Sequence, residues 1–116
     1  MGAPGGASYL LRGDVVTVPF PFSDLSGSKL RPALVVAALP GSSDIILCQI
    51  TSQPQATRPT VAITSADFVL GSLLRDSFVR PDRLFTAASG LTRRVGRLNG
   101  AKTQEVIDQT ILLFTT

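Results

Sequence analysis

At 116 residues, with 11 Lys and Arg against 8 Asp and Glu, the chain has the length of one domain and a net charge of +3. It contains no histidine and a single cysteine, which excludes histidine acid–base catalysis, histidine metal ligation and an internal disulfide. An apolar share of 44% is that of a globular protein, and no apolar run approaches a membrane span, so a soluble, cytoplasmic protein without a membrane partner is expected.

The first eight residues are rich in Gly and Ala, and a flexible segment is expected over 1–12, ahead of one domain over 13–116. Val16, Val18 and Phe20 alternate with Thr17 and Pro19, which predicts a half-buried strand over 14–20. Residues 33–38 are continuously apolar, which predicts a strand over 31–39 buried on both faces. Between them, residues 21–29 hold too many turn formers for a tight hairpin and read as a long loop. Long loops on a rigid scaffold are where function tends to sit, and Arg31 stands at the mouth of this one.

Pro40-Gly41-Ser42-Ser43 predicts a turn, and Ile45, Ile46, Leu47 and Ile50 a third strand over 44–51. A polar loop follows over 53–59, then a short strand over 60–63 and one helical turn near 65–68. Two short strands are expected on either side of Pro81, over 77–79 and 83–87, and a last one over 92–97. Asn99 suits a helix N-cap, and Ile107, Ile111 and Phe114 recur at helical spacing beside a second face of Val106, Thr110 and Leu113. That helix should pack on the sheet or at a subunit contact. The phenylalanines are few enough to be mostly core, and Cys48, inside an apolar strand, reads as a small buried hydrophobe. Many short strands and one terminal helix predict a mainly β fold, a small antiparallel barrel with a C-terminal helix.

Arg75, Arg80, Arg83, Arg93, Arg94 and Arg97 lie close in sequence with only Asp76 and Asp82 among them. Such a stripe suits a polyanion or an acidic partner segment, and equally a solvated face. The carboxylates are scattered, with no magnesium-site spacing, so no metal and no cofactor is expected.

Several blocks carry a resemblance. They are Gly13-Asp14, Phe20-Pro21, Lys29-Leu30-Arg31-Pro32-Ala33-Leu34, Ile50-Thr51-Ser52, the run from Asp76 to Thr86, and Val95-Gly96-Arg97-Leu98. In this order the chain resembles the MazF/PemK family of toxin endoribonucleases. The resemblance implies an SH3-like barrel of the PemK/MazF/CcdB-like kind that forms a homodimer. It implies metal-independent, sequence-specific cleavage of single-stranded RNA or mRNA, and a cognate antitoxin protein as partner.

RNA carries its own nucleophile, the 2′-hydroxyl, beside each phosphodiester. An enzyme can therefore cleave it by positioning that hydroxyl and stabilising charge on the phosphate, leaving a 2′,3′-cyclic phosphate and a 5′-hydroxyl. The resemblance makes Arg31 the catalytic arginine, whose planar fork matches two phosphate oxygens. It adds Thr51 and Ser52 as hydroxyl donors at a strand end, where the alternative is an ordinary turn cap. Phe22, Lys29, Gln53, Arg80 and Asp82 are expected to contact RNA, Phe22 by stacking a base. The alternative for Arg80 and Asp82 is a local ion pair around Pro81. Some relatives place a histidine or glutamate near the first loop; here Asp24 is the nearby acid. Two other functions fit the same fold: a CcdB-like toxin that binds gyrase, and a non-catalytic RNA-binding module.

Overall fold

The computed structural model describes residues 10–21 and 28–116. Seven strands follow in chain order: β1 (Asp14–Pro21), β2 (Ser28–Ala38), β3 (Asp44–Thr51), β4 (Val61–Ile63), β5 (Phe68–Gly71), β6 (Ser77–Ala88) and β7 (Arg93–Leu98). The helix α1 (Gly100–Thr115) closes the chain. The strands form one sheet in the order β4-β6-β3-β2-β1-β7-β5, every described pairing is antiparallel, and the sheet curls into a half-barrel. The mainly β fold with a C-terminal helix expected from the sequence is what the chain adopts.

Both faces of the sheet's centre are dry. Val15, Leu34, Cys48, Ile50, Val79 and Leu98 meet on one side, with Val106 of α1 laid over them. Val16, Val18, Ala33, Val35, Ile45 and Leu47 meet on the other, flanked by Leu10, Phe20 and Phe85. Phe20 and Phe85 touch edge to face, with ring centroids 4.8 Å apart. Side chains alternate across a strand, so a central strand packed on both faces needs apolar residues at consecutive positions. Val15-Val16 and Leu34-Val35 supply them.

Three details differ from expectation. β1 and β2 run further than their apolar cores, with Pro21 paired to Ser28, because Cα pairing continues into the polar ends. The two strands expected around Pro81 are one, β6, which skips register against β3 between Cys48 and Ile50. A bulge there accommodates a proline that has no N–H to give the ladder. β5 was not expected at all. It pairs with β7 through Gly71 and Gly96, and Gly71 has φ +63°, with a hypothetical Cβ 2.2 Å from the Val95 carbonyl oxygen. Only glycine fits that approach.

The helix buries mainly the second of its two faces. Its buried residues are Thr103, Val106 and Thr110, and it lies on β6 and β4. The Thr103 hydroxyl donates to the Asn99 carbonyl at 2.9 Å and the Thr110 hydroxyl to the Val106 carbonyl at 2.8 Å, so neither is buried unsatisfied. Ile111 and Phe114 of the other stripe, expected on the sheet or at a subunit contact, are exposed in the single chain, as are Leu112 and Leu113. Asn99 caps the helix as expected, its Oδ1 accepting the Lys102 N–H at 2.7 Å. Among the described residues no helix is long and apolar enough to cross a membrane. The N-terminal expectation over 1–9, and those for Phe22 and Asp24, lie outside the described residues.

Candidate active site

The β2–β3 register builds the site. Ala33 pairs with Gln49 and Leu34 with Cys48. Beyond those pairs, at the same end of the two strands, stand Arg31 of β2 and Thr51 of β3. Both line a cleft of about 520 Å³ with Lys29 and Ser52, and with Thr17 of β1 and Ser77 of β6. The far wall is the connection between β5 and β6, through Ser72, Leu73, Leu74 and Arg75. Ile50, Val95, Pro32 and Leu30 complete an apolar surround. Three cations therefore ring one cleft, and no carboxylate is among its described lining residues.

Four of the eight residues expected at the site from sequence thus meet in one place: Arg31, Thr51, Ser52 and Lys29. Arg75 and Leu74 were missed. Arg75 read only as one member of a basic stripe, and Leu74 stands fully exposed at 104% of its reference area. The sequence signal for that wall was slight, since nothing short of the β5–β7 pairing places residues 72–75 beside β2.

The Thr51 hydroxyl has a defined partner. Its Oγ1 accepts the Gln53 main-chain N–H at 3.1 Å. That engages a lone pair of the oxygen and leaves its O–H to donate elsewhere. The Gln53 carbonyl in turn accepts from Gln55 Nε2 at 3.2 Å. Gln53 therefore acts through its main chain, and it does not line the cleft.

Arg80 and Asp82 do not line it either; they form the local ion pair weighed as their alternative. Arg80 is 6% exposed, and its Nη2 lies 3.4 Å from Asp82 Oδ2. Arg58 reaches the same oxygen at 3.2 Å. Burial acts to raise the Asp82 carboxyl, but the Arg58 hydrogen bond and the Arg80 charge outweigh it and hold the group below its ordinary value of 3.8. Arg80 Nε and Asp82 Oδ1 are buried without hydrogen-bond partners, a deficit of about 1–3 kcal/mol each.

The basic stripe divides in the same way. Asp14, fully buried, accepts the Leu11 N–H on Oδ2 at 2.8 Å. Its Oδ1 lies 2.8 Å from Arg97 and 3.8 Å from Arg94, at ion-pair range though off the hydrogen-bond direction. Arg94 and Arg97 thus anchor the start of β1. Cys48 is buried as expected, and burial pushes its thiol up to about 11. Among the described residues no group of three or more His, Cys, Asp or Glu could hold a metal ion.

No curated protein sequence is significantly similar to the chain. Solved structures are similar in fold. The MazF chain of a MazE–MazF complex from Deinococcus radiodurans superposes with TM-score 0.74 at 18% identity, over 92% of this chain and 96% of that one. An endoribonuclease from a mycobacterial species gives TM-score 0.68 at 17% identity, over 91% of both chains. A mycobacterial endoribonuclease in complex with its cognate antitoxin gives 0.59 at 20%, over 88% of both. Residues 11–114 match the family described as PemK-like, MazF-like toxins of type II toxin–antitoxin systems. With nearly the whole chain inside that match and the same fold around the cleft, the protein belongs to the PemK/MazF toxin family of type II toxin–antitoxin systems.

Proposed function

We propose that this toxin is an endoribonuclease that cleaves single-stranded RNA in the cleft between Arg31 and Thr51. The observation that supports the reading is the cleft itself, where Arg31 and Thr51 share a lining with Lys29, Arg75 and Ser52 and with no described carboxylate. Arg31 grips two non-bridging oxygens of the scissile phosphate, and Thr51 donates its O–H to the same group. The substrate's own 2′-oxygen attacks phosphorus as its proton passes to solvent, the bond to the 5′-oxygen breaks, and that oxygen takes up a proton from solvent, leaving a 2′,3′-cyclic phosphate and a 5′-hydroxyl. Ser52 supplies a second hydroxyl. Lys29 and Arg75 hold flanking phosphates, and Leu30 and Leu74 offer apolar surface to unpaired bases. The reaction draws on arginine and hydroxyl groups and needs no metal.

The protein works as a homodimer and is neutralised by a cognate antitoxin. MazF of Deinococcus radiodurans and a mycobacterial endoribonuclease are both found in complex with such partners. Gyrase binding, the rival on this fold, does not account for three cations and two strand-end hydroxyls lining one cleft.

The test is cleavage of a long unstructured RNA by the purified protein in excess EDTA. Discrete cuts with cyclic-phosphate and 5′-hydroxyl ends, abolished in Arg31→Ala, support the reading. Intact RNA after incubation with folded, antitoxin-free protein overturns it and turns attention to a gyrase assay.

A further inference from the structure

We infer that Arg58 is a positioning residue: bound to Asp82, it fixes the loop between β3 and β4 so that the Gln53 amide stays on the Thr51 hydroxyl. The inference rests on the reading of Thr51 as a donor to the scissile phosphate. The loop's path gives Arg58 this leverage. β3 and β4 lie on opposite sides of β6, so residues 52–60 must cross it. Both ends are tied to the same place, since Thr51 and Ala62 are both paired with Phe78. A chain held only at its two ends keeps its middle loose. Arg58 removes that freedom by donating from Nη1 to Asp82 Oδ2 at 3.2 Å.

Asp82 is a firm anchor because Arg80, buried beside it, holds the same oxygen from within β6. At the other end of the loop, the Gln55 amide group donates to the Gln53 carbonyl and the Gln53 N–H donates to Thr51 Oγ1. The chain of contacts therefore runs from Asp82 through Arg58 and the loop to the hydroxyl. The Gln53 N–H settles which way that hydroxyl can act: with the oxygen accepting from the loop, its proton is left for the substrate. Losing the hold on the loop lets the hydroxyl turn and donate to its own main chain or to water.

Arg58 can be removed cleanly, because its side chain is 57% exposed and its loss leaves no cavity. The experiment compares wild type, Arg58→Ala and Arg58→Lys by NMR exchange of the Gln53 amide with water, by thermal melting, and by RNA-cleavage kinetics. The expected result for Arg58→Ala is a roughly fivefold faster Gln53 exchange, a melting temperature within a few degrees, and kcat down about five- to tenfold with KM within twofold. Arg58→Lys, which keeps a donor for Asp82, restores most of both. An unchanged Gln53 exchange in Arg58→Ala overturns the inference, as does faster exchange with an unchanged kcat. A wild-type protein that cleaves nothing, yet whose Gln53 amide responds to Arg58→Ala, refutes the cleavage reading and leaves the hold on the loop supported.

Discussion

Arg31-Pro32 and Arg80-Pro81 are the same dipeptide in the same sheet, and they meet opposite fates. Arg31 is half-buried on the wall of an open cleft, and Pro32 stays in register against Thr17. Arg80 is buried against Asp82, and Pro81 is fully buried where β6 breaks its pairing with β3. The difference lies in the strands, not the motif. A proline at a regular position leaves the neighbouring arginine at the strand's end to face what the next strands build. A proline at a bulge turns its neighbour into the interior, where a guanidinium needs a carboxylate to compensate its desolvation. An arginine near a proline therefore says little about chemistry until the pairing around it is known.

Substitution separates the two arginines. Arg31→Ala should lower RNA cleavage by about 10²–10³-fold, the usual cost of losing one preorganised donor to a developing oxyanion. Its melting temperature should move less than on loss of a fully buried arginine, because Arg31 is only half-buried on the cleft wall. Arg80→Ala should do the reverse. Removing the buried guanidinium leaves a void beside Pro81 and takes one of two cations from Asp82, so the melting temperature should fall by several degrees. Any loss of cleavage should follow that loss of fold. Urea melts and initial rates on both variants check the contrast, and a stable, inactive Arg80→Ala would break it.

How much of this was legible follows from range. β3 was readable to the residue because Ile45, Ile46, Leu47 and Ile50 make a short apolar run bounded by turn formers. Its register to β2 was not, yet that antiparallel register brings Arg31 and Thr51 to the same end of the two strands; for this pair the motif order supplied what periodicity does not. The helix was readable as a helix, and Val106 and Thr110 stood on the less strict of its two apolar faces; which of the two is buried was not readable. Ile107, Ile111 and Phe114 make the more apolar stripe, yet Thr103 and Thr110 are the residues inside, because each satisfies its own hydroxyl on the preceding turn. β5 escaped notice because Val69 and Leu70 are exposed and the strand is fixed by Gly71 meeting Gly96 across a long sequence separation. The cleft's far wall, with Arg75, was invisible for the same reason.

Arg75 offers an intermediate case between the two Arg-Pro arginines. It is exposed and lines the cleft from the wall opposite Arg31. A cation that holds a flanking phosphate contributes to binding equally in the ground and transition states. Arg75→Ala should therefore raise KM about three- to tenfold with kcat little changed, and flatten the salt dependence of RNA binding by about 0.7 in log–log slope. A fall in kcat without a change in KM would move Arg75 into the same category as Arg31.

The smallest effects come from two titrating groups that flank the comparison, and they bracket a wide plateau of stability. The Asp82 carboxyl titrates below 3.8 in the folded protein and near 3.8 when unfolded. The folded state therefore binds this proton more weakly, and the stability Asp82 contributes is present above pH 3.8 and lost as pH falls through its folded value. Cys48 works at the other end. Its thiol titrates at about 11 when buried and at 9.0 when exposed, so above pH 9 the unfolded state releases a proton that the folded state keeps. Stability should fall from pH 9 upward, and by the same measure the native thiol should react slowly with alkylating reagents. Urea midpoints across pH 3–11 should trace a flat top with two descending limbs. Cys48→Ala should remove the thiol's contribution to the alkaline limb and leave the acid limb in place. Arg58→Ala should shrink the acid limb, because one of the two cations holding Asp82 down is gone. An acid limb unchanged in Arg58→Ala would mean that the buried Arg80 alone sets the carboxylate, and that the Arg-Pro pair at the bulge needs no help from the loop.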